Sequence, residues 1–129
     1  MPWTMQHMAG SQVLMMGYQG KITTEELQEA NRQAMGQLGE RNIDKVLVDC
    51  STAHADMPIL DVYRLPDLYV AEDMPRTIRV AMVLPKDGYK REIYGLYEDA
   101  CRKRGFQVKI FDDGDAAWTW LKSGAKVSR

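Results

Sequence analysis

The sequence has almost no net charge, few cysteines and no long apolar run. Seventeen Lys and Arg residues stand against 18 Asp and Glu residues, which gives a formal net charge of −1 at pH 7. So balanced a chain lacks the overall positive charge that holds proteins on nucleic acid or on anionic membranes. No apolar run approaches the roughly 20 residues that a transmembrane helix needs. We therefore expect no nucleic-acid partner and no membrane insertion.

Motifs for common metals and cofactors are also missing from the sequence. The two histidines, His7 and His54, are far apart in the chain. Neither a Cys-x-x-Cys nor a His-Glu-x-x-His motif is present, and neither is a Gly-rich phosphate loop of the Walker or dinucleotide-binding type. The sequence therefore predicts no metal site and no bound cofactor.

The start of the chain and its two cysteines indicate a cytoplasmic protein. The first residues show no basic start followed by a long apolar stretch, so we expect no secretory signal. Cys50 and Cys101 both lie in segments with a buried pattern. That position fits free thiols in a reducing compartment better than a disulfide framework.

What the sequence does contain is an ordinary share of apolar residues at alternating spacings. Apolar residues make up 45% and charged residues 27% of the 129 positions, which is typical of one globular domain. The apolar spacing switches repeatedly between the strand and the helix period and predicts the order β-β-α-β-α-β-α-β-α. This order indicates an α/β fold with a largely parallel sheet of about five strands and helices on both faces.

Local signals set the expected bounds of the first elements. Thr23 and Glu26 form a capping-box sequence that opens the first helix, and we expect this helix to end at Gly39. Residues 17–20 are expected to form a turn after the strand that precedes it. The consecutive apolar residues of segment 45–50 predict a strand that is covered on both faces.

Two further signals concern the later helices. Pro66 interrupts an apolar-rich segment that runs to Val70, so we expect either a kink or two short helices there. Leu96 and Tyr97 lie at the centre of the apolar stripe of the next helix, and we expect both side chains to pack on the sheet.

Several segments of the chain resemble a known family. They are residues 46–51, 79–83, 97–106, 109–113 and 116–121, so the likeness extends over nearly the whole chain. These segments are similar to the SpoIIAA-like proteins, which are described as STAS-like or CRAL/TRIO-like domains. The resemblance implies a SpoIIAA-like β/α superhelix that serves as a regulatory or binding module rather than as a catalyst.

The phosphorylation site of the sporulation branch of this family is not matched. In that branch a Ser at the start of the helix after the central strand is phosphorylated, and a Gly soon follows. Here residues 54–59 read HADMPI, and the Asp-Ser-Ser-Gly signature is absent. Ser51 and Thr52 are nearby hydroxyls but come earlier in the predicted loop. We therefore expect no phosphorylation switch at this position.

A cluster of polar residues follows the predicted end of the central strand, at the edge where open α/β sheets bind ligands. The cluster comprises Ser51, Thr52, His54 and Asp56, directly after Cys50. One hypothesis makes Cys50 and His54 the nucleophile pair of an enzyme. The alternative makes Cys50 a small buried residue, while Ser51, Thr52 or Asp56 caps the next helix.

A second loop carries positive charge. Lys86, Lys90 and Arg91 lie where another strand ends and a helix begins. Because the free N–H groups of a helix start favour anions, a phosphate or a carboxylate is one candidate ligand. A solvated turn with exposed lysines is the alternative.

The segment from Pro58 to Val70 is apolar on more than one side. Leu60, Leu65 and Leu68 lie off the face that we expect to be buried. A helix of this kind needs a second surface to bury, which is either a partner or an apolar ligand. The alternative is a kinked helix that is fully buried within one domain. We predict a homodimer in which these leucines form the contact.

These observations together predict a small cytoplasmic STAS-like regulatory or interaction module without catalytic activity. It is expected to bind a protein partner or a second copy of itself. A carrier of a small apolar or lipid-like ligand is the first alternative, and an enzyme that uses Cys50 and His54 is the second.

Overall fold

The computed structural model describes residues 2–7, 12–55, 58–86 and 91–123. Within these residues the chain forms five strands and four helices in the predicted order. The strands are β1 (Trp3–His7), β2 (Val13–Ile22), β3 (Lys45–Ala55), β4 (Arg79–Val83) and β5 (Gln107–Phe111). The helices are α1 (Thr24–Arg41), α2 (Ile59–Ala71), α3 (Arg91–Lys103) and α4 (Gly114–Ser123).

All five strands join in one sheet in the order β1-β2-β3-β4-β5. β1 pairs antiparallel with β2, and the other three pairs are parallel. When parallel strands lie side by side in chain order, the right-handed connections between them place their helices on one face of the sheet. Residues of α1, α2 and α3 accordingly share one core cluster with the sheet. The predicted α/β fold with a largely parallel sheet is confirmed.

The core has two layers because α4 packs on the opposite face. Val46 and Val48 of β3 belong to the larger cluster under α1, α2 and α3. Leu47 between them belongs to the smaller cluster, together with Trp120 and Leu121 of α4. Side chains alternate along a strand, so burial on both faces explains why β3 has consecutive apolar residues. Helices on both faces are thus confirmed, with three on one side and one on the other.

Arg79 fastens the end of α4 to the sheet. The buried Arg79 guanidinium donates to the carbonyl oxygens of Trp120 at 2.7 Å and of Leu121 at 3.2 Å. It also lies over the Trp120 ring, with its central carbon 4.2 Å from the ring centroid. The last carbonyls of a helix have no backbone N–H partner inside the helix, so this arginine supplies donors to them, and the Ser123 hydroxyl also donates to the Trp120 carbonyl at 2.7 Å.

The capping box of α1 forms as predicted, but the predicted end of the helix is wrong. The Thr23 hydroxyl accepts from the Glu26 N–H at 3.2 Å, and Glu26 accepts from the Thr23 N–H at 2.9 Å. The helix continues through Gly39 to Arg41, and Asn42 ends it with a left-handed φ of 54°. Asn adopts this conformation more readily than most other residues, which explains how it serves in place of Gly.

β2 does not end in the expected turn at residues 17–20. It continues to Ile22 and keeps pairing with β3 as far as Ile22↔Ala55. A Cβ atom on Gly17 would lie 3.1 Å from the Thr4 hydroxyl of β1, so this glycine permits a close approach of the two strands.

A single helix α2 runs through Pro66, and the prediction of two short helices is wrong. Pro66 is buried, as are Val62, Leu65 and Tyr69 on the same face. Proline removes one backbone hydrogen bond from a helix. Here the burial of these four side chains against the core offsets that loss.

The predicted position of Leu96 is also wrong, whereas that of Tyr97 is right. Leu96 is 40% exposed, while the buried face of α3 carries Tyr94, Tyr97, Ala100 and Cys101. We therefore expect Leu96→Ala to change the free energy of unfolding of the monomer by less than about 0.5 kcal/mol, as for other surface substitutions. Urea denaturation of the two proteins measures this. A loss above about 2 kcal/mol would mean that Leu96 is covered by another molecule or by the domain itself.

Candidate functional site

β3 is longer than predicted and contains a β-bulge. Gly17 of β2 pairs with Asp49, but Gln19 pairs with Thr52, so Tyr18 faces two residues of β3, Cys50 and Ser51. The Asp49 carboxylate accepts a hydrogen bond from the Ser51 N–H at 2.9 Å. Ser51, Thr52 and His54 therefore lie on the strand, and the prediction that they belong to a loop is wrong.

The bulge separates Cys50 from His54. Cys50 and Ala53 both belong to the core cluster under the helices, so the alternation of the strand directs His54 to the other face, where it is exposed. Cys50 is only 5% exposed, and burial, with the nearby Asp49 charge, raises the pKa of its thiol to about 12. The thiol is neutral near pH 7 and has no imidazole beside it, which contradicts the hypothesis of a nucleophile pair.

Neither Ser51 nor Thr52 caps the next helix, because both lie on β3. α2 begins after Pro58, and among the described residues no side chain caps its first turn. The Thr52 hydroxyl instead donates to the carbonyl of Tyr18 at 3.4 Å, across to β2. Ser51 is half-buried and Thr52 is exposed. Asp56 lies outside the described residues.

An open groove of about 540 Å³ lies at the carboxyl ends of β3, β4 and β5, on the α4 side of the sheet. We call it the carboxyl-end groove. It brings together two predicted site residues, Ser51 and Lys86, which are far apart in sequence. Its other lining residues are Met15, Leu47, Asp49, Val83, Leu84, Asp112, Asp113, Gly114, Asp115 and Trp118.

The charge of this groove differs from the sequence-based expectation. Among its described lining residues four carry carboxylates, and Lys86 is the cationic one. The nearby Arg91 guanidinium, a predicted anion ligand, is already paired with both oxygens of Asp112. Such a charge distribution favours a cationic group over the predicted phosphate or carboxylate. Lys90, the third predicted ligand, lies outside the described residues.

A second cavity, of about 110 Å³, lies inside the larger core layer, between the sheet and the three helices. We call it the interior cavity. Its walls are mostly apolar, and its polar side chains are Asn31, Cys50 and the tyrosines Tyr18, Tyr69, Tyr94 and Tyr97. The hydroxyls of Tyr69 and Tyr97 hydrogen-bond to each other at 2.7 Å.

The sequence interpretation missed these tyrosines as members of one site. A signal was present nonetheless, because Tyr94 and Tyr97 are three residues apart on α3. Each tyrosine on a buried face brings a hydroxyl inside that needs a partner.

A third feature is an exposed apolar surface, which we call the α2 patch. Among the residues with described side chains, the large apolar ones that remain exposed are Ile59, Leu60, Tyr63 and Val70 on α2, with Leu96 on the adjacent α3. Among the predicted contact residues, Leu60 is 55% exposed and Leu68 is half-buried. Leu65 is 3% exposed within the domain's own core, so its assignment to an interface is wrong.

Charged groups border the α2 patch. The Arg104 side chain donates to Asp67 at 2.6 Å and lies 5.9 Å from the centroid of the Tyr63 ring. Arg64, one turn before Leu68, is also exposed. The patch thus has an apolar centre and a rim with charges of both signs.

The described part of the chain contains no group of three or more His, Cys, Asp or Glu side chains that is placed to hold a metal ion. Across the same residue ranges, no helix combines the length and the apolar character needed to cross a bilayer. Cys50 and Cys101 are both free, as predicted, and both are buried.

Comparison with known proteins identifies the fold. No protein-family model matches the chain, and no curated protein matches its sequence. The chain is similar in structure to an uncharacterized protein of the DUF3478 family from Shewanella loihica, which is described as having a SpoIIAA-like fold. The match has a TM-score of 0.55 and 19% sequence identity, and it covers 92% of this chain and 91% of the other. The predicted SpoIIAA-like fold is thereby confirmed.

Proposed function

We propose that this protein is a STAS-like interaction module that pairs with a second copy of itself through the α2 patch. The observation that carries the proposal is the exposure of Ile59, Leu60, Tyr63 and Val70 on one helix, beside Leu96 on the next. Apolar side chains exposed in a continuous group typically mark a protein contact, whereas single exposed ones need no explanation.

A second copy is the favoured occupant because a two-fold interface lets one surface cover itself. The apolar centre would be buried on both sides of the axis. The rim carries Arg64 and the Arg104–Asp67 pair, so charges of opposite sign are available to face each other across the axis. A heterologous protein partner that buries the same patch is the alternative occupant.

A regulatory role in the cytoplasm is part of the proposal. The two free, buried thiols suit a reducing compartment. A partner and a second copy would compete for the α2 patch. The exchange of one for the other would then transmit the signal. The absence of the Asp-Ser-Ser-Gly signature supports control by association rather than by phosphorylation after β3.

Two aspartates in the patch are expected to dissociate the dimer. In the variant with Ile59→Asp and Leu60→Asp, association would bury carboxylates without partners, a cost of several kcal/mol. The dissociation constant should therefore rise by about 100-fold or more. Both side chains are exposed in the single chain, so the fold should persist. Sedimentation velocity at matched concentrations measures the effect, and circular dichroism confirms the fold.

The matched control carries the same added charge on the other side of the sheet. Ala116→Asp combined with Thr119→Asp places two carboxylates at exposed positions of α4. This control should remain dimeric. A wild-type protein that stays monomeric at high micromolar concentration would refute self-association, and a control that dissociates equally would show a general effect of charge.

A further inference from the structure

We propose that Glu98 and Arg102 of α3 close the outer edge of the sheet at β5, and that this edge pairs with β5 of a second copy when the two side chains are removed. The contacts that close it lie between α3 and β5 and involve no residue of the α2 patch. The inference is therefore independent of the proposed dimer. In the folded protein the two side chains keep one end of the sheet from growing into an intermolecular sheet.

β5 is an edge strand with backbone groups that face away from the sheet. It is the last strand in the sheet order and pairs with β4 on its inner side. The Phe111 carbonyl accepts from the Leu84 N–H, just after β4, at 2.9 Å, so it faces that neighbour. Because the backbone groups of a strand point alternately to its two sides, those of Val108 and Ile110 face outward. An edge of this kind is a template for another strand.

The residue types of β5 favour strand pairing. The strand reads QVKIF, and Val, Ile and Phe are among the residues most enriched in strands. Its one charged residue is Lys109, whose ammonium lies 5.5 Å from the centroid of the Phe111 ring. Side chains stand on the faces of a sheet, so this lysine does not cover the outward backbone groups. Protection of the edge has to come from another element.

Two side chains of α3 supply that protection. The Ile110 N–H donates to the Glu98 carboxylate at 2.7 Å, and the Arg102 Nε donates to the Val108 carbonyl at 3.3 Å. The Arg102 guanidinium also donates to the same Glu98 oxygen at 3.5 Å, so the two side chains hold each other in place. They are 14% and 29% exposed. An incoming strand would have to displace two hydrogen bonds that each have an ionised partner, which is the stronger kind.

The spacing of the helix matches that of the strand. Glu98 and Arg102 are one helical turn apart, about 5.4 Å, and Val108 and Ile110 are two strand residues apart, about 6.6 Å. The earlier helix residue contacts the later strand residue, as expected for a helix that runs antiparallel to the strand it leads into. The connection between α3 and β5 has only three residues, which keeps the helix beside the strand. The two occupied groups are the inner ones of the outward row, so consecutive bonds to a new strand are blocked.

Hydrogen exchange of the wild-type chain gives the first test. The Ile110 amide should be protected to within about tenfold of the Lys109 amide, which faces β4, because both have acceptors. A larger difference would overturn the proposal, since Glu98 would then not hold the Ile110 amide. This measurement needs no variant and stands even if a substitution impairs folding.

A double variant without a change of net charge should open the edge. Glu98→Met combined with Arg102→Met removes both contacts, and at low protein concentration the Ile110 amide should exchange about tenfold faster or more. On the background of Ile59→Asp and Leu60→Asp, it should form larger assemblies in sedimentation velocity than the background alone. Because that background lacks the apolar contact of the α2 patch, the added association is assigned to β5 whether or not the proposed dimer exists.

Two controls separate the edge from general effects of the substitutions. Glu98→Gln keeps an oxygen that accepts from the Ile110 N–H, so the edge should stay closed on the same background. Glu40→Met combined with Arg41→Met makes the same replacements at exposed positions of α1 and should not associate. A double variant of Glu98 and Arg102 that associates no more than the background would overturn the proposal, and so would equal association by either control.

Discussion

Replacement of Leu65 by alanine is expected to lower the free energy of unfolding by about 2–5 kcal/mol. Leu65 is 3% exposed and packs in the core cluster under α2. It also lines the interior cavity, so the truncation enlarges a space that already exists. Enlargement of a cavity that the neighbouring side chains do not fill places the loss toward the upper part of this range.

Leu60 on the same helix is the matched control, because it loses the same atoms from an exposed position. Leu60→Ala should change the unfolding free energy by less than about 0.5 kcal/mol when measured on the monomer. Urea denaturation with an unchanged slope for both variants gives the comparison. Equal effects of the two substitutions would mean that Leu65 and Leu60 are equally buried and that α2 is rotated differently about its axis.

Replacement of Arg79 by methionine should lower the unfolding free energy by about 2–4 kcal/mol. Two hydrogen bonds from the guanidinium to the carbonyls of Trp120 and Leu121 are lost, together with its stacking on the Trp120 ring. Methionine retains most of the apolar part of the side chain. The decrease in the free energy of unfolding therefore measures the contribution of the guanidinium group rather than that of packing. The effect should be concentrated in α4, whose amide hydrogens would exchange faster than those of α1.

Arg76 supplies a control with similar contacts at the surface. Its guanidinium lies 4.2 Å from the centroid of the Phe106 ring and its Nε donates to the Arg104 carbonyl at 3.1 Å, but the side chain is exposed. Arg76→Met should cost less than about 1 kcal/mol, since water replaces what is lost. If Arg76→Met lowers the free energy of unfolding as much as Arg79→Met does, burial is not what makes the contacts of Arg79 stabilising.

Elements with one apolar stripe or a clear cap were predictable from the sequence. Thr23 and Glu26 predicted the start of α1, and the consecutive apolar residues of segment 45–50 predicted a strand covered on both faces, because each pattern allows one solution. The rotation of α2 was not predictable. Ile59 and Leu65 are equally apolar, and only the packing of the whole domain decides that the first is exposed and the second is buried.

The candidate sites were harder to predict than the fold. No sequence pattern indicates the bulge at Cys50 and Ser51, because the stretch around it is polar. The bulge nevertheless reverses which side chains face the core from Thr52 onward. The carboxyl-end groove joins Ser51 to Lys86 by sheet topology alone, as the rule for strand ends suggests. The interior cavity depends on imperfect filling between large side chains, which no sequence spacing encodes.

The sequential strand order has a consequence for how the chain folds during synthesis. Each new strand from β2 to β5 is added beside the strand that precedes it in the chain, so each of β3, β4 and β5 can pair as soon as the helix before it has been made. α4 follows β5 and, among the described helices, is the one that packs on Leu47, Ala81 and Val83 on the second face. Until the ribosome has released α4, the nascent chain presents an open apolar sheet surface. The risk of aggregation is therefore greatest in the interval between the synthesis of β5 and that of α4, when a chaperone has most to protect.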